Sequence, residues 1–231
     1  CIHYNYDIKN IKINSVEVQK NDLINIFDSF NKLKCFANLA SFSLVKTKIE
    51  FFKQFPFEVF AQFLQSHPRL ESLTLSDIDA DGTTLFEKIC KSNTNLYELH
   101  LNSLIFDDPL NFEDDQNPLN LPHNIVLLDF SKSRFKNLSM TPLLQFLTKD
   151  DQNTSNLMVN FEHLEPKENT FVKAFKTVDL KKCQSKIVDF NWSGNHLSPD
   201  LFNFLSTQKN LQNLALLDMT VEKQNGFFQA L

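Results

Sequence analysis

The stretch Ile187-Val-Asp-Phe-Asn-Trp-Ser-Gly-Asn-His-Leu197 begins with apolar residues at positions 1, 4 and 6, namely Ile187, Phe190 and Trp192. The same spacing returns four times in clear form and three times in looser form. The eight copies start at residues 8, 39, 70, 96, 125, 156, 187 and 211, at intervals of 24 to 31 residues. One structural unit therefore recurs along the chain.

Side-chain alternation within this unit predicts a short strand with one buried face. We expect four residues to be buried: Ile187, Phe190, Trp192 and Leu197. The intervening Asp189 and Asn191 are expected to be exposed. A slip of one residue in the register would exchange the two faces, so the burial of Trp192 tests this prediction.

A helix is predicted after each strand. In the unit at 187, Ser198-Pro199-Asp200 combines a capping serine, a proline at the first helical position and an acid in the first turn. The pattern of apolar residues predicts helices at about 22–31, 52–66, 83–91, 140–148, 168–176 and 199–207.

Strands that alternate with helices at this period predict a leucine-rich repeat solenoid, an α/β fold. Units of about 29 residues have room for a full helix, as in repeats of the ribonuclease-inhibitor type. We expect a horseshoe with a parallel concave β-sheet and convex helices. Residues 1–231 would then form a single leucine-rich repeat domain of about eight repeats. We expect this domain to be a fragment of a longer chain.

The unit at 96 departs from this pattern. Five acids lie within Asp107–Asp115, and prolines stand at 109, 118 and 122. Because proline disrupts helix interiors, we expect an acidic loop in place of the convex helix. Two interpretations stay open: a solvated insertion, or a loop that docks a partner.

Composition excludes several classes of function. The net charge is −5 and only two arginines occur, so neither nucleic acid nor a phosphate clamp is expected. With three glycines in the chain, no glycine-rich phosphate loop is present. The four cysteines form no C-x-x-C pair, which favours reduced thiols in a cytoplasmic protein. The chain contains no long apolar run, so we expect no membrane contact from this segment.

The strands would present columns of side chains on the concave face, one residue from each unit. The first column is Asn10, Ser41, Ser72, Glu98, Leu127, Met158, Asp189 and Asn213. The second is Lys12, Ser43, Thr74, His100, Asp129, Asn160, Asn191 and Ala215. The third is Asn14, Val45, Ser76, Asn102, Ser131, Glu162, Ser193 and Leu217.

Acids gather in the second half of these columns. They are consistent with an ordinary solvated face or with a surface that binds a protein partner. The candidate partner-binding residues are Glu98, His100, Asp129, Asn160, Glu162, Asp189 and Asn191.

The same residues do not predict an enzyme. Paired carboxylates need a water-poor cleft for acid–base catalysis, whereas this face is open. A metal needs several oxygens that converge on one point, whereas a column spreads them out. His100 is predicted beside Glu98 and Asp129, but no nucleophile stands in a recognisable turn near it. We therefore expect no catalytic residues, no cofactor and no metal.

Phenylalanine is abundant, with 24 copies, and it crowds the segment Phe51–Phe63. One helix cannot hide all of these rings along a single stripe. The sequence leaves open either a wide convex core or an exposed aromatic patch for a partner.

The segments Ile187–Leu201 and Phe204–Leu216 resemble the leucine-rich repeats of the CARMIL family of actin capping-protein regulators. Ile125–Lys132 and Asn156–Phe161 extend the resemblance. It implies a non-enzymatic protein–protein interaction scaffold in the regulation of actin filament assembly and capping. In that family the motif that binds capping protein lies in a disordered tail, so the resemblance locates no site in these residues.

The resemblance further implies a cytoplasmic, cytoskeleton-associated protein with actin-regulatory partners. The alternative is a module like ribonuclease inhibitor, which would bind a basic protein on its concave face.

Overall fold

A computed structural model describes residues 7–49, 55–92, 95–107, 121–136, 140–148, 156–164 and 170–221. Its strands are numbered β1 to β13 along the chain. Eight of them follow one another through a parallel sheet in chain order: β1 (Asn10–Asn14), β3 (Ser41–Ile49), β4 (Ser72–Ile78), β5 (Glu98–Asn102), β7 (Leu127–Asp129), β9 (Leu157–Asn160), β10 (Ile187–Asn191) and β12 (Asn213–Ala215). Each of the eight predicted units contributes one of these strands.

Short second strands follow several of the main strands. They are β2 (Glu17–Val18), β6 (Ile105–Phe106), β8 (Arg134–Phe135), β11 (His196–Leu197) and β13 (Thr220–Val221). β6 pairs with β8, β11 pairs with β13, and β2 pairs with the end of β3, all in parallel. In the described residues, three pairs of neighbouring units are therefore joined by strand pairing at two places.

Six helices lie in the described part of the chain, close to the six predicted ones: α1 (Lys20–Lys32), α2 (Phe57–Ser66), α3 (Gly82–Lys91), α4 (Met140–Leu147), α5 (Thr170–Thr177) and α6 (Pro199–Thr207). The start predicted for α2 was wrong. Pro56 disfavours helical backbone at Phe55, so the helix begins only at Phe57. The predicted acidic loop falls mostly outside the described residues.

The helices pack on one face of the sheet through a continuous hydrophobic cluster. Aromatic contacts join the two layers along its length. Three of them are Phe27 to Phe42 at 6.0 Å between ring centroids, Phe86 to Phe130 at 5.8 Å, and Phe190 to Phe204 at 6.2 Å. The face opposite the helices, which carries the two columns of alternate strand residues, is called the open face below.

The register predicted for the unit at 187 is confirmed. Ile187, Phe190 and Trp192 are buried, with Trp192 only 1% exposed. Leu197 is half-buried rather than buried, because it lies in the short outer pair β11–β13. Asp189 and Asn191 are half-buried rather than exposed, because strands flank β10 on both sides.

The unit at 156 differs from its prediction by one residue. Leu157, not Asn156, lies opposite Ile187 and is fully buried. Met158 then faces Asp189, so the register shifts at this point. Asn156 is exposed and has a positive φ of 71°. The shift makes Val188 of β10 the extra residue, and it keeps the apolar Leu157 at the first buried position although the sequence pattern is looser there.

A left-handed residue stands at the same position of every unit, after the main strand or, in β3 and β4, near its end. These residues are Ser15, Lys46, Asp77, Ser103, Lys132, His163, Gly194 and Asp218. Their spacings equal the intervals between the eight unit starts. All eight units therefore share one turn geometry at the same position. Only Gly194 adopts it without the steric cost that a Cβ atom brings.

We expect Gly194→Ala to lower the free energy of unfolding by about 1–3 kcal/mol, because it adds a Cβ in a left-handed conformation. That Cβ would also collide with the His163 ring. Chemical denaturation of both proteins measures the loss. Adding His163→Ala should recover part of it, since the collision disappears while the strain stays. An unchanged free energy of unfolding for Gly194→Ala would contradict this account.

Two buried polar side chains link consecutive units. Asn195 donates from Nδ2 to the carbonyl oxygen of Phe161 at 2.6 Å, and its Oδ1 accepts from the Leu164 amide at 2.9 Å. Ser133 donates to the carbonyl oxygen of Leu101 at 2.8 Å and accepts from the Leu104 amide at 3.1 Å. Each side chain thus satisfies one donor and one acceptor of the preceding unit.

Candidate functional site

The two main columns of the open face lie in the predicted register. Parallel pairing places each residue of the first column opposite the next: Asn10, Ser41, Ser72, Glu98, Leu127, Met158, Asp189 and Asn213. The second column is also confirmed: Lys12, Ser43, Thr74, His100, Asp129, Asn160, Asn191 and Ala215. Apart from the shift at Ile187–Asp189, the constant register is the direct consequence of apolar residues that alternate with polar ones in each strand.

The structure places the candidate residues as follows. Six of them lie in strands β5, β7, β9 and β10 of the open face: Glu98, His100, Asp129, Asn160, Asp189 and Asn191. Glu162 comes two residues after the end of β9, close to the left-handed turn at His163. Its carboxylate lies 3.5 Å from His163 Nε2.

A polar network surrounds Asp129. His100 Nδ1 lies 3.2 Å from Asp129 Oδ2, and Asn102 Nδ2 donates to the same oxygen at 2.7 Å. The Ser131 amide donates to Oδ1 of the aspartate at 3.0 Å. Glu98 Oε2 is 4.0 Å from His100 Nε2. The predicted neighbourhood of His100, Glu98 and Asp129 is therefore confirmed.

Asn102 and Ser131 belong to this network, although they are not among the candidate residues derived from the sequence. Asn102 donates to the Ser131 hydroxyl at 2.7 Å as well as to Asp129. Both residues stand in the third column. Each stands two residues after its strand neighbour in the second column, His100 or Asp129. This spacing was the sequence signal that could have identified both residues.

The network determines the protonation of Asp129. Burial alone would raise the pKa of its carboxyl group, but the hydrogen bonds from His100, Asn102 and Ser131 outweigh burial and hold the pKa below its usual value. Asp129 is therefore ionised at neutral pH. Its carboxylate is largely satisfied within the protein, which leaves it less available to a partner.

This lowered pKa predicts a pH dependence of stability. The contribution of Asp129 is complete above the pKa of an unfolded aspartate, about 3.9, and is lost as the pH falls through the lower folded value. Denaturant unfolding of the wild type and Asp129→Asn should differ by a constant amount between about pH 5 and 6. The difference should shrink below about pH 4. A difference that is independent of pH down to about pH 2 would contradict the assignment.

The four acids of the candidate set occupy different places. Glu98 and Asp189 share the first column, but Leu127 and Met158 lie between them. Asp129 stands in the second column, within its network. Neither lysine nor arginine occurs in either column from β5 to β10, where the basic group is the imidazole of His100.

A cavity of about 280 Å³ lies away from the open face, at the turn after β4. Several acids line it, but two are engaged: Asp81 caps α3 through the Thr83 and Thr84 amides, and Asp107 lies 2.5 Å from Lys136. Within the described residues, no group of three or more His, Cys, Asp or Glu side chains is placed to hold a metal ion.

Cys90 and Cys183 are not activated nucleophiles. Cys35, Cys90 and Cys183 are free of disulfides. Burial strongly raises the pKa of the Cys90 thiol, and burial is also the largest influence on Cys183, whose pKa is raised. Both thiols are therefore protonated at neutral pH.

The phenylalanines of the segment 51–63 pack into the core where the structure describes them. Phe55, Phe60 and Phe63 are buried, and Phe57 is half-buried. Phe27 contacts three of these rings at 5.3 to 6.3 Å. The wide-core interpretation is confirmed for these residues, whereas Phe51 and Phe52 lie outside the described part.

No family model and no curated protein matches the chain. None of the helices described by the structure has the length and apolar character needed to span a membrane.

Proposed function

We propose that the chain is a leucine-rich repeat solenoid that acts as a non-enzymatic protein–protein interaction scaffold. The open face of its sheet is the binding surface. The observation that carries this proposal is the pair of continuous side-chain columns on that face, while the helices pack on the opposite face. Such a surface offers a partner an ordered array of side chains rather than a reaction cleft.

The spacing of the two layers supports the proposed horseshoe shape. Parallel strands lie about 4.8 Å apart, whereas packed helices need about 8–10 Å. A unit with a strand on one side and a helix on the other must therefore curve toward the strands. The left-handed turn shared by all eight units supports the same geometry along the chain.

The resemblance to CARMIL repeats suggests the setting of this scaffold: cytoplasmic, associated with the cytoskeleton and active in regulating actin filament assembly or capping. The unit that carries most of the resemblance has the strand β10, the buried Trp192 and the capped helix α6. Ser198 caps that helix by accepting from the Leu201 amide at 3.2 Å.

Affinity capture with purified chain tests the scaffold role. The wild type is compared with a variant whose open face is obstructed by three tryptophans, Ser43→Trp, Thr74→Trp and Met158→Trp. A matched control carries Gln62→Trp and Gln65→Trp on the exposed surface of α2. Thermal unfolding first verifies that all three proteins are folded.

We expect the wild type and the α2 control to capture the same proteins of actin filament assembly from cytosol. The obstructed variant should lose them. Equal capture by all three proteins would overturn the open face as the binding surface. Capture of a basic protein without actin regulators would favour the alternative, a ribonuclease-inhibitor-like module. The absence of Lys and Arg from the columns between β5 and β10 supports that second candidate.

A further inference from the structure

One row of side chains on the open face has an unusual order. The register places Glu98, Leu127, Met158 and Asp189 side by side on four consecutive strands. The row is thus acidic at both ends and apolar in the middle. With strands about 4.8 Å apart, its two carboxylate residues are separated by about 14 Å.

The members of this row are accessible. The Glu98 side chain is 49% exposed, and Met158 is 36% exposed. Leu127 and Asp189 are half-buried. Asp189 accepts one hydrogen bond from Asn213 Nδ2 at 3.2 Å, which holds the carboxylate without neutralising it. An exposed methionine beside a leucine is an adaptable apolar contact surface.

The neighbouring column contains no lysine or arginine beside these acids, and its imidazole, His100, lies 3.2 Å from Asp129 through Nδ1 and 4.0 Å from Glu98 through Nε2. Beside the row this column contains His100, Asp129, Asn160 and Asn191. The Asp129 carboxylate is already engaged by His100 and Asn102. Glu98 and Asp189 are therefore the acids of the two columns whose charge is best placed to meet a cationic partner.

We propose that this row docks an extended protein segment in which an apolar side chain lies between two Lys or Arg residues. The proposal rests on the scaffold function proposed above and names the chemistry of its partner. In an extended segment, side chains that face the same way are about 6.6 Å apart, so residues i, i+2 and i+4 span about 13 Å. That length matches the row.

The expected partner pattern is therefore basic-x-apolar-x-basic. Its central side chain rests on Leu127 and Met158, and its outer side chains meet Glu98 and Asp189. The apolar contact supplies most of the affinity, since exposed ion pairs contribute little. The carboxylates of Glu98 and Asp189 select a segment with basic residues at both ends and fix its position along the row. Acidic residues of a partner at these places would be repelled.

Selection from a library of random 12-residue peptides displayed on phage tests this proposal with the whole chain as bait. We expect the wild type to enrich peptides with the basic-x-apolar-x-basic pattern. Synthetic copies of the enriched peptides should bind Glu98→Lys/Asp189→Lys at least 10-fold more weakly, and binding to the wild type should weaken as salt increases.

A matched control, Glu17→Lys/Glu71→Lys, changes the net charge by the same amount at exposed positions outside the row. It should bind the peptides within a factor of about two of the wild type, because long-range charge effects are screened in salt. A third variant, Met158→Ser, should weaken binding while keeping both acids.

Enrichment of peptides without this pattern, no enrichment, or equal binding to the charge-reversed variant would each overturn the row as a docking site. These outcomes are distinct from failure of the scaffold function. The scaffold function is contradicted only if the variant with the obstructed open face captures the same proteins as the wild type. A chain that captures partners through that face but enriches no such peptide keeps its scaffold role and loses this docking site.

Discussion

Replacing Trp192 with alanine is expected to lower the free energy of unfolding by about 3–5 kcal/mol, the range for truncating a large buried aromatic side chain. The indole ring is fully enclosed and stacks on Phe190 at 6.0 Å between centroids. It also meets Phe175 at 5.0 Å. Its Nε1 donates to the carbonyl oxygen of His196 at 2.9 Å, so truncation leaves both a cavity and an unpaired acceptor.

Denaturant unfolding followed by circular dichroism measures this loss, since the variant lacks the only tryptophan. Trp192→Phe serves as an intermediate: it keeps most ring contacts but loses the hydrogen bond, so it should cost less. Leu217→Ala removes an apolar side chain that is 69% exposed and should cost about 0.5 kcal/mol or less. Similar losses for Trp192→Ala and Leu217→Ala would show that the indole is not a core residue.

The second large effect is expected at Asn195. Asn195→Leu keeps the approximate size of the side chain but removes three hydrogen bonds, to the Phe161 carbonyl and the Leu164 amide of the preceding unit and to the Trp192 carbonyl of its own unit. Each buried group left unsatisfied costs about 1–3 kcal/mol, so we expect a total loss of about 2–5 kcal/mol. The site is buried, so water does not readily replace the lost partners.

Asn210→Leu is the matched control. Asn210 also bonds backbone through its Nδ2, which donates to the Ser185 carbonyl oxygen at 3.0 Å, but it is exposed. Water satisfies the groups released there, so its loss should be below about 1 kcal/mol. The free energies of unfolding of the two variants show whether the loss comes from replacing any asparagine or from breaking the link between units. Equal losses at Asn195 and Asn210 would contradict the bridging role.

The register of the open face was predictable from sequence because it depends on two spacings: the alternation of residues within each strand and the interval between units. Alternation within a strand decides which residues face the helices, and the interval between units decides which residues become neighbours. For this reason Glu98, Leu127 and Met158 could be placed side by side from sequence. The contact of His100 with Asp129 followed from the same reasoning.

Other features depend on three-dimensional detail that these spacings do not contain. The network around Asp129 needs Asn102 and Ser131, whose side chains reach between columns. The register shift between β9 and β10, at Ile187–Asp189, depends on packing, because burying Leu157 is more favourable than keeping the regular register. The late start of α2 depends on the backbone restriction that Pro56 imposes on Phe55.

The turn shared by all eight units makes the sheet tolerant of changes in length elsewhere. Unit lengths differ by as much as seven residues, yet the left-handed residue keeps the same offset from every unit start. All variation in length therefore falls between one turn and the next strand. Residues could be inserted or removed there without moving any side chain of the open face relative to its neighbours. The open face and the helix layer can thus change independently: the open face by substitution of its side chains, and the helix layer by a change in length.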